Sequence, residues 1–237
     1  MSNILSSQVR QDYLAGGGIF GCFIYPYTEE LKRSKFFLDT MEEFVEASEQ
    51  REVAEHEQRI QRLTPAQTDE YWQWHYPIHW QEIFSNRIRA SFVMQLCSFV
   101  EGELKEVADR VGVIAEAPIK LRDLNGTTLS KPKKFLEAFG RFQEPPKESW
   151  ELVERIFEVR NVMVHEGGFA GGREHRKQLV DFAGQAPGLS LTNSHIEVKR
   201  AFCDYCLNVA SEFCASLHQA YEAFRVTAQA LEQMKGR

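Results

Sequence analysis

The chain has 237 residues, of which 43% are hydrophobic and 26% charged, so it is long enough to bury a core and is neither disordered nor fibrous. Its formal net charge is −6, which excludes a uniformly basic surface and restricts any nucleic-acid binding to a local patch. The apolar stretch from Gly16 to Tyr27 contains glycines and Pro26 and is too short to cross a membrane, and no basic signal-peptide start precedes it. We therefore expect a cytoplasmic protein.

The cysteines point to the same compartment. Their number is odd, and most of them lie in apolar helical patterns (Cys22, Cys97, Cys203, Cys206 and Cys214). Buried thiols in a reducing cytoplasm explain this arrangement better than a disulfide framework does. We expect no disulfides.

The N-terminal third predicts accessory helices. Thr28 is a plausible N-cap for a helix whose apolar positions recur at helical spacing (Leu31, Leu38, Met41, Phe44 and Val45). From Ser48 to Arg62 the helix formers continue almost without apolar residues, which predicts a solvated extension that Pro65 stops. Asp69 to Trp80 predicts a short helix and a bend at Pro77. We assign residues 1–80 to an N-terminal segment with these helices.

The remaining two thirds predict a helical core. Apolar residues in steps of three and four from Trp80, through Ile83 and Phe84, to Val111 indicate a central helix that ends near Gly112. A short helix (Pro132 to Phe139), a helix from Lys147 to His165 and a last long helix through Phe202 and Phe224 follow. One apolar face of the Lys147 helix comprises Trp150, Leu152, Ile156, Val159 and Met163.

Between the last two long helices we expect a flexible stretch, Gly167 to Arg176, and a small hairpin around Thr192, Asn193 and Ser194. There is neither an internal repeat nor a βαβ alternation. The predicted fold is therefore all-α, a single-domain bundle of long antiparallel helices with one small β-hairpin.

Three polar side chains at the end of the Lys147 helix suit phosphate chemistry. Asn161 and His165 are four residues apart and share a helix face, and Arg160 lies about 100° around the helix from Asn161. Arginine can clamp a phosphate with its fork of donors, histidine can transfer protons near neutral pH, and asparagine can orient either one. None of these roles requires a metal.

The pattern Arg160-Asn161 followed by His165 after four intervening residues resembles the HEPN superfamily, whose signature is Arg, four to six residues, then His. The resemblance extends over Gln81 to Phe224 and includes the Ser98 to Leu104 segment, Trp150, the Gly-Gly after His165 and the Phe202 to Tyr205 helix. It implies a HEPN-like core over residues 81–232. It also implies a metal-independent endoribonuclease of toxin–antitoxin or antiphage systems, whose composite site joins two motifs across a homodimer, without cofactor. Other members are inactive.

Other residues are expected to orient the motif side chains or to bind RNA beside them. Glu101 and Ser98 share one face of the core helix, and the resemblance places that face beside the motif helix, where Glu101 can orient Arg160. Two basic clusters can hold RNA phosphates beside His165 (Lys131, Lys133 and Lys134; Arg173, Arg176 and Lys177). The alternative for each is an ordinary solvated charge.

The signature occurs twice. Arg51 and His56 have the same spacing, but they lie in the solvated extension without an adjacent Asn or a glycine stop, so we treat them as a chance match. The structural alternative for Arg160 and His165 themselves is a helix C-terminus whose cations bond to the last carbonyls. A second functional alternative is a catalytically inactive HEPN-like module for dimerisation, sensing, or binding a toxic protein partner as antitoxin or scaffold.

Possible metal sites are weaker. His75 and His79, with Glu82 beyond, have metal-ligand spacing, but Pro77 interrupts the helix that such spacing requires. Cys203 and Cys206 form a C-x-x-C without a second pair. We expect no metal site.

Overall fold

The computed structural model describes residues 10–15, 27–77, 79–143, 145–171 and 176–235, with the backbone alone at Arg176. Within these residues the helices include α1 (Tyr27–Ile60), α2 (Pro65–His75), α3 (Ser85–Ile114), α4 (Ser130–Phe135), α5 (Lys147–His165), α6 (Arg176–Ala183) and α7 (Arg200–Lys235), and a hairpin comprises β1 (Leu189–Thr192) and β2 (His195–Val198). Helical turns cover Trp80–Phe84, Leu121–Asp123 and Leu136–Gly140. The predicted all-α fold with one small hairpin is confirmed. No described helix has both the length and the apolar character of a membrane span.

α1 follows the predicted periodicity with one exception. Leu31, Leu38 and Val45 are buried, as their helical spacing predicts. Phe44, predicted as a core position, is 57% exposed, and its ring meets that of Trp80 edge to face with the centroids 6.4 Å apart. The prediction was wrong because residue 44 lies about 100° around the helix from Val45, outside the face that is covered.

The C-terminal part of α1 has no buried residue, as the absence of an apolar stripe predicted. It is nevertheless bonded to the segment that returns beside it. The indole Nε1 of Trp80 donates to Glu52 Oε2 (2.6 Å), and His56 Nδ1 lies 2.6 Å from the hydroxyl oxygen of Tyr71. Polar contacts therefore replace hydrophobic burial along this helical pair.

Pro65 does not stop α1, which ends at Ile60, but is the first residue of α2. The Thr64 side chain caps the helix by accepting from the Gln67 backbone, and the Gln67 side chain accepts from the Thr64 backbone. Proline suits this position because the first helical N–H would have no partner within the helix. α2 thus begins four residues before the predicted Asp69.

The chain divides into two compact units whose boundaries fall within α1, α3, α5 and α7. The first comprises the described residues of Met1–Leu31, Gln95–Asn161 and Cys206–Arg237. In its core, Trp150 meets Phe213 edge to face, with the ring centroids 4.8 Å apart. Leu152, predicted for the same face as Trp150, is 36% exposed, because the buried stripe of α5 passes through Val153 instead.

The second unit comprises Lys32–Met94 and the described residues of Val162–Tyr205, so the boundary predicted at residue 80 falls inside it. Ile83 and Phe84, predicted as core positions, are 45% and 42% exposed. They lie in a π-helical turn, whose extra residue shifts the side chains out of the α-helical phase that the pattern assumed.

The hairpin in this unit turns at Asn193 and Ser194, which have positive φ angles of 50° and 67°, as a tight two-residue turn requires. The stretch from Gly167 to Arg176 was predicted to be flexible. Its described part includes Ala170, which is fully buried and donates its N–H to the Ser194 carbonyl (2.8 Å), and the chain then forms α6.

Candidate functional site

α5 has the predicted bounds, so the three motif side chains lie on its last two turns. The helix ends after His165 because Gly167 and Gly168 adopt the left-handed conformation, with φ angles of 59° and 85°. The N–H groups of Glu166 and Gly168 both donate to the Val162 carbonyl (3.0 and 3.1 Å). Backbone groups thus satisfy this helix end, and His165 is the last helical residue.

Arg160 and Asn161 form one hydrogen-bonded pair. Arg160 Nη1 donates to Asn161 Oδ1 (2.9 Å), and both residues are half-buried. Arg160 Nε is buried and donates to no described residue. An unpaired buried donor costs about 1–3 kcal/mol, so it is unusual in a residue whose only purpose is stability.

The charge of Arg160 acts on Cys97 of α3. The pKa of the Cys97 thiol is raised to about 12, chiefly by burial, while the Arg160 guanidinium lowers it and the Glu101 carboxylate raises it. Arg160 therefore lies beside α3, on the side that carries Cys97.

His165 is exposed and makes no hydrogen bond or ion pair with the described residues. On an α-helix it lies one turn beyond Asn161 and on the same face. Neither ring nitrogen caps a carbonyl of the residues that the structure describes.

Glu101 does not support Arg160 in the way that the sequence suggested. Its carboxylate accepts from Lys105 Nζ, one turn later on α3 (2.6 Å). The acceptor for Arg160 is Asn161 instead, because a neighbour on the same helix needs no approach of a second element. Ser98 is exposed on α3.

The predicted RNA-binding residues separate into different environments. Lys133 Nζ lies 5.0 Å from the Trp150 ring centroid and 4.0 Å from Glu154, which is a packing role rather than a free cation. Lys131 is half-buried, whereas Lys134 and Lys177 are exposed. Arg173 lies outside the described residues, and Arg176 is the first residue of α6.

A groove was missed by the sequence analysis. It has a volume of about 490 Å³, and its charged lining residues are Glu101, Lys105, Asp109, Lys120, Arg122 and Lys131. The only signal in the sequence is the spacing of Glu101, Lys105 and Asp109 by four residues, which places the three on one face of α3. The residues opposite come from the following loop and from α4, and their proximity depends on the fold.

The weaker candidates are structural. His56, of the chance match, has a side chain that is 12% exposed and bonded to Tyr71, whereas Arg51 is exposed. Replacing His56 will therefore affect the helical pair, and it is not the silent control that the sequence suggested. His79 Nε2 lies 3.3 Å from Glu52. Among the described residues, no group of three or more metal-ligating side chains is present.

Comparison of the chain with models of protein families, with curated proteins and with solved structures found no match.

Proposed function

We propose that the protein is a HEPN-like, metal-independent endoribonuclease whose site is built from Arg160, Asn161 and His165. The observation that carries the proposal is the Arg160–Asn161 pair, with its unpaired buried Nε, on the helix whose last residue is the exposed His165. A guanidinium whose plane is held by an amide suits the binding of a phosphate.

The proposed reaction is an attack of the ribose 2′-hydroxyl on the adjacent phosphorus. His165 accepts the proton from O2′, the O2′–P bond forms and the P–O5′ bond breaks. Arg160 stabilises the charge that develops on the phosphoryl oxygens, and Asn161 orients Arg160. The leaving O5′ takes a proton from a second acid, which we assign to His165 of a second copy in a homodimer. The products are a 2′,3′-cyclic phosphate and a 5′-hydroxyl.

We propose that this activity serves toxin–antitoxin or antiphage systems in the cytoplasm, with RNA as substrate and a protein partner or antitoxin as regulator. The cytoplasm is also the compartment in which the buried free thiols (Cys97, Cys203, Cys206 and Cys214) stay reduced.

The experiment is cleavage of a mixed-sequence RNA by the purified protein in the presence of EDTA. We expect cleavage of RNA but not of DNA, and losses of about a hundredfold or more for His165→Ala and for Arg160→Ala. Arg51→Ala, which changes the exposed arginine of the chance match, serves as the control and should cleave normally. A strict requirement for a divalent metal would contradict the mechanism.

A second candidate function is that of a non-catalytic module that binds another protein. It is favoured by exposed aromatic side chains on α1 and around α2, namely Phe36 (73% exposed), Phe44 (57%), Trp74 (72%) and Tyr76 (55%). Large exposed aromatic residues are typical of binding hot spots. A protein that cleaves no RNA as a purified homodimer, but loses a partner on Trp74→Ala, would favour this function over the nuclease.

A further inference from the structure

The groove of about 490 Å³ has two walls of different charge. The first is the face of α3 that carries Glu101, Lys105 and Asp109. The second consists of Lys120 and Arg122 from the loop after α3, with Lys131 from α4. One wall thus alternates in sign, and the other is entirely basic.

The positive charges of the groove are not balanced within it. The groove contains two carboxylates, and one of them, Glu101, is already paired with Lys105 (2.6 Å). Within the lining, Asp109 is then the one carboxylate left to balance three cations, Lys120, Arg122 and Lys131. Arg122 has its nearest described carboxylate, Asp123, at 3.9 Å and outside the groove lining, and half-buried Lys131 has no acidic partner among the described residues. The groove lining thus carries four cations and two carboxylates, and this excess of positive charge favours an anion.

The loop that forms the basic wall is held in place by its own hydrogen bonds. Thr127 N donates to Ser130 Oγ (2.7 Å), and Ser130 N donates to Thr127 Oγ1 (3.1 Å). Gly126 has a φ of 142°, and a Cβ there would lie 2.4 Å from Ser130 Oγ, so that no other residue fits. The backbone from Gly126 to Ser130, which leads into Lys131, is therefore fixed before a ligand binds, and this lowers the entropic cost of binding.

We propose that this groove binds a sugar phosphate, with the phosphate on Lys120, Arg122 and Lys131 and the sugar hydroxyls on Glu101 and Asp109. Carboxylates accept hydrogen bonds from hydroxyl groups but repel a phosphate, so the two walls suit the two ends of such a molecule. The volume lies within the range of small-molecule sites. None of the described residues that line the groove is aromatic, so there is no platform for stacking a base.

Asp109 on the α3 wall is partly desolvated. Partial desolvation and the neighbouring Glu106 carboxylate raise the pKa of Asp109, and Lys105 lowers it. This carboxyl group therefore begins to take up a proton at a higher pH than an ordinary aspartate does.

The test is calorimetric titration of the full chain with ribose 5-phosphate, ribose and inorganic phosphate. Ribose 5-phosphate should bind saturably and more tightly than either fragment. Lys131→Ala should weaken its binding about tenfold or more, since a charged hydrogen bond is lost. Asp109→Asn should reduce the preference for ribose 5-phosphate over inorganic phosphate.

The matched control is Lys147→Ala, because Lys147 is an exposed lysine of α5 that pairs with Glu151 and does not line the groove. It should change the affinity by less than about twofold, on the scale of a surface ion pair. Absence of saturable binding, or equal weakening by Lys131→Ala and Lys147→Ala, would overturn the proposal.

Two sources of the ligand are separated by further titrations. If only the small sugar phosphate binds, the ligand is a free metabolite. If a 5′-phosphorylated oligonucleotide binds in a Lys131-dependent manner and its 5′-hydroxyl form does not bind, the ligand is the end of an RNA strand. The proposal does not depend on the nuclease, because binding is measured without cleavage. His165→Ala should abolish cleavage and leave binding to the groove unchanged.

Discussion

The change in the free energy of unfolding when Arg160 is replaced distinguishes a catalytic role for this residue from a structural one, because the two roles predict opposite signs. Arg160→Met removes the buried Nε that donates to no described residue, which relieves about 1–3 kcal/mol. It also removes the bond from Nη1 to Asn161 (2.9 Å), which costs about 1 kcal/mol. Methionine fills the space with a flexible unbranched chain. We therefore expect the free energy of unfolding to rise by about 1 kcal/mol and the melting temperature by about 2–4 °C.

Asn161→Ala should act in the opposite direction. The substitution keeps the Arg160 guanidinium but removes the oxygen that accepts from Nη1, so a second donor of Arg160 loses its partner. The expected cost is about 1.5–3 kcal/mol. Both variants should lose RNA cleavage, since one lacks the phosphate clamp and the other its orientation. Stability that rises in one variant and falls in the other, with activity lost in both, is expected for a strained functional pair.

The assay is urea denaturation followed by circular dichroism, together with cleavage measured per folded molecule. Arg110→Met serves as the matched control. Arg110 bonds to Glu106 (2.8 Å) and lies over the rings of Tyr13 and Tyr221, both at 5.8 Å, so its loss should destabilise the protein. If Arg160→Met destabilises as much as Arg110→Met and cleavage per folded molecule is unchanged, the catalytic reasoning is refuted.

Three other predictions concern the protein as a whole. In a Cys22→Ser background, Ellman's reagent should modify the native protein only as fast as it unfolds, because burial raises the thiol pKa to about 12 at each of Cys97, Cys203 and Cys214. Hydrogen bonds from Arg200 and Lys35 lower the pKa of Asp39, so its contribution to stability is present above the ordinary pKa and is lost as the pH falls through the lowered one. Denaturation series at several pH values should then show a shallower acid decline for Asp39→Asn. Phe213→Ala should cost about 3–5 kcal/mol in urea denaturation and Phe44→Ala less than about 1 kcal/mol, since Phe213 is fully buried and Phe44 is 57% exposed.

The sequence determined those features that depend on neighbours along the chain. α5 begins and ends where its periodicity and its glycines predicted, because helix propensity and termination are local properties. The hairpin turn at Asn193 is local for the same reason. The presence of Arg160, Asn161 and His165 on one helix end likewise followed from spacing alone.

Only the tertiary structure decided which of these residues are covered and which meet. Periodicity shows that Phe44 and Leu152 lie near an apolar face, but whether a second element reaches them depends on packing, and none does so fully. The hydrogen-bond partner of Arg160 likewise depended on whether α3 brings Glu101 close enough. Asn161, and not Glu101, accepts the hydrogen bond from Arg160. The groove beside α3 combines residues from a helix, a loop and a second helix, and contacts of that kind arise only when distant segments are brought together.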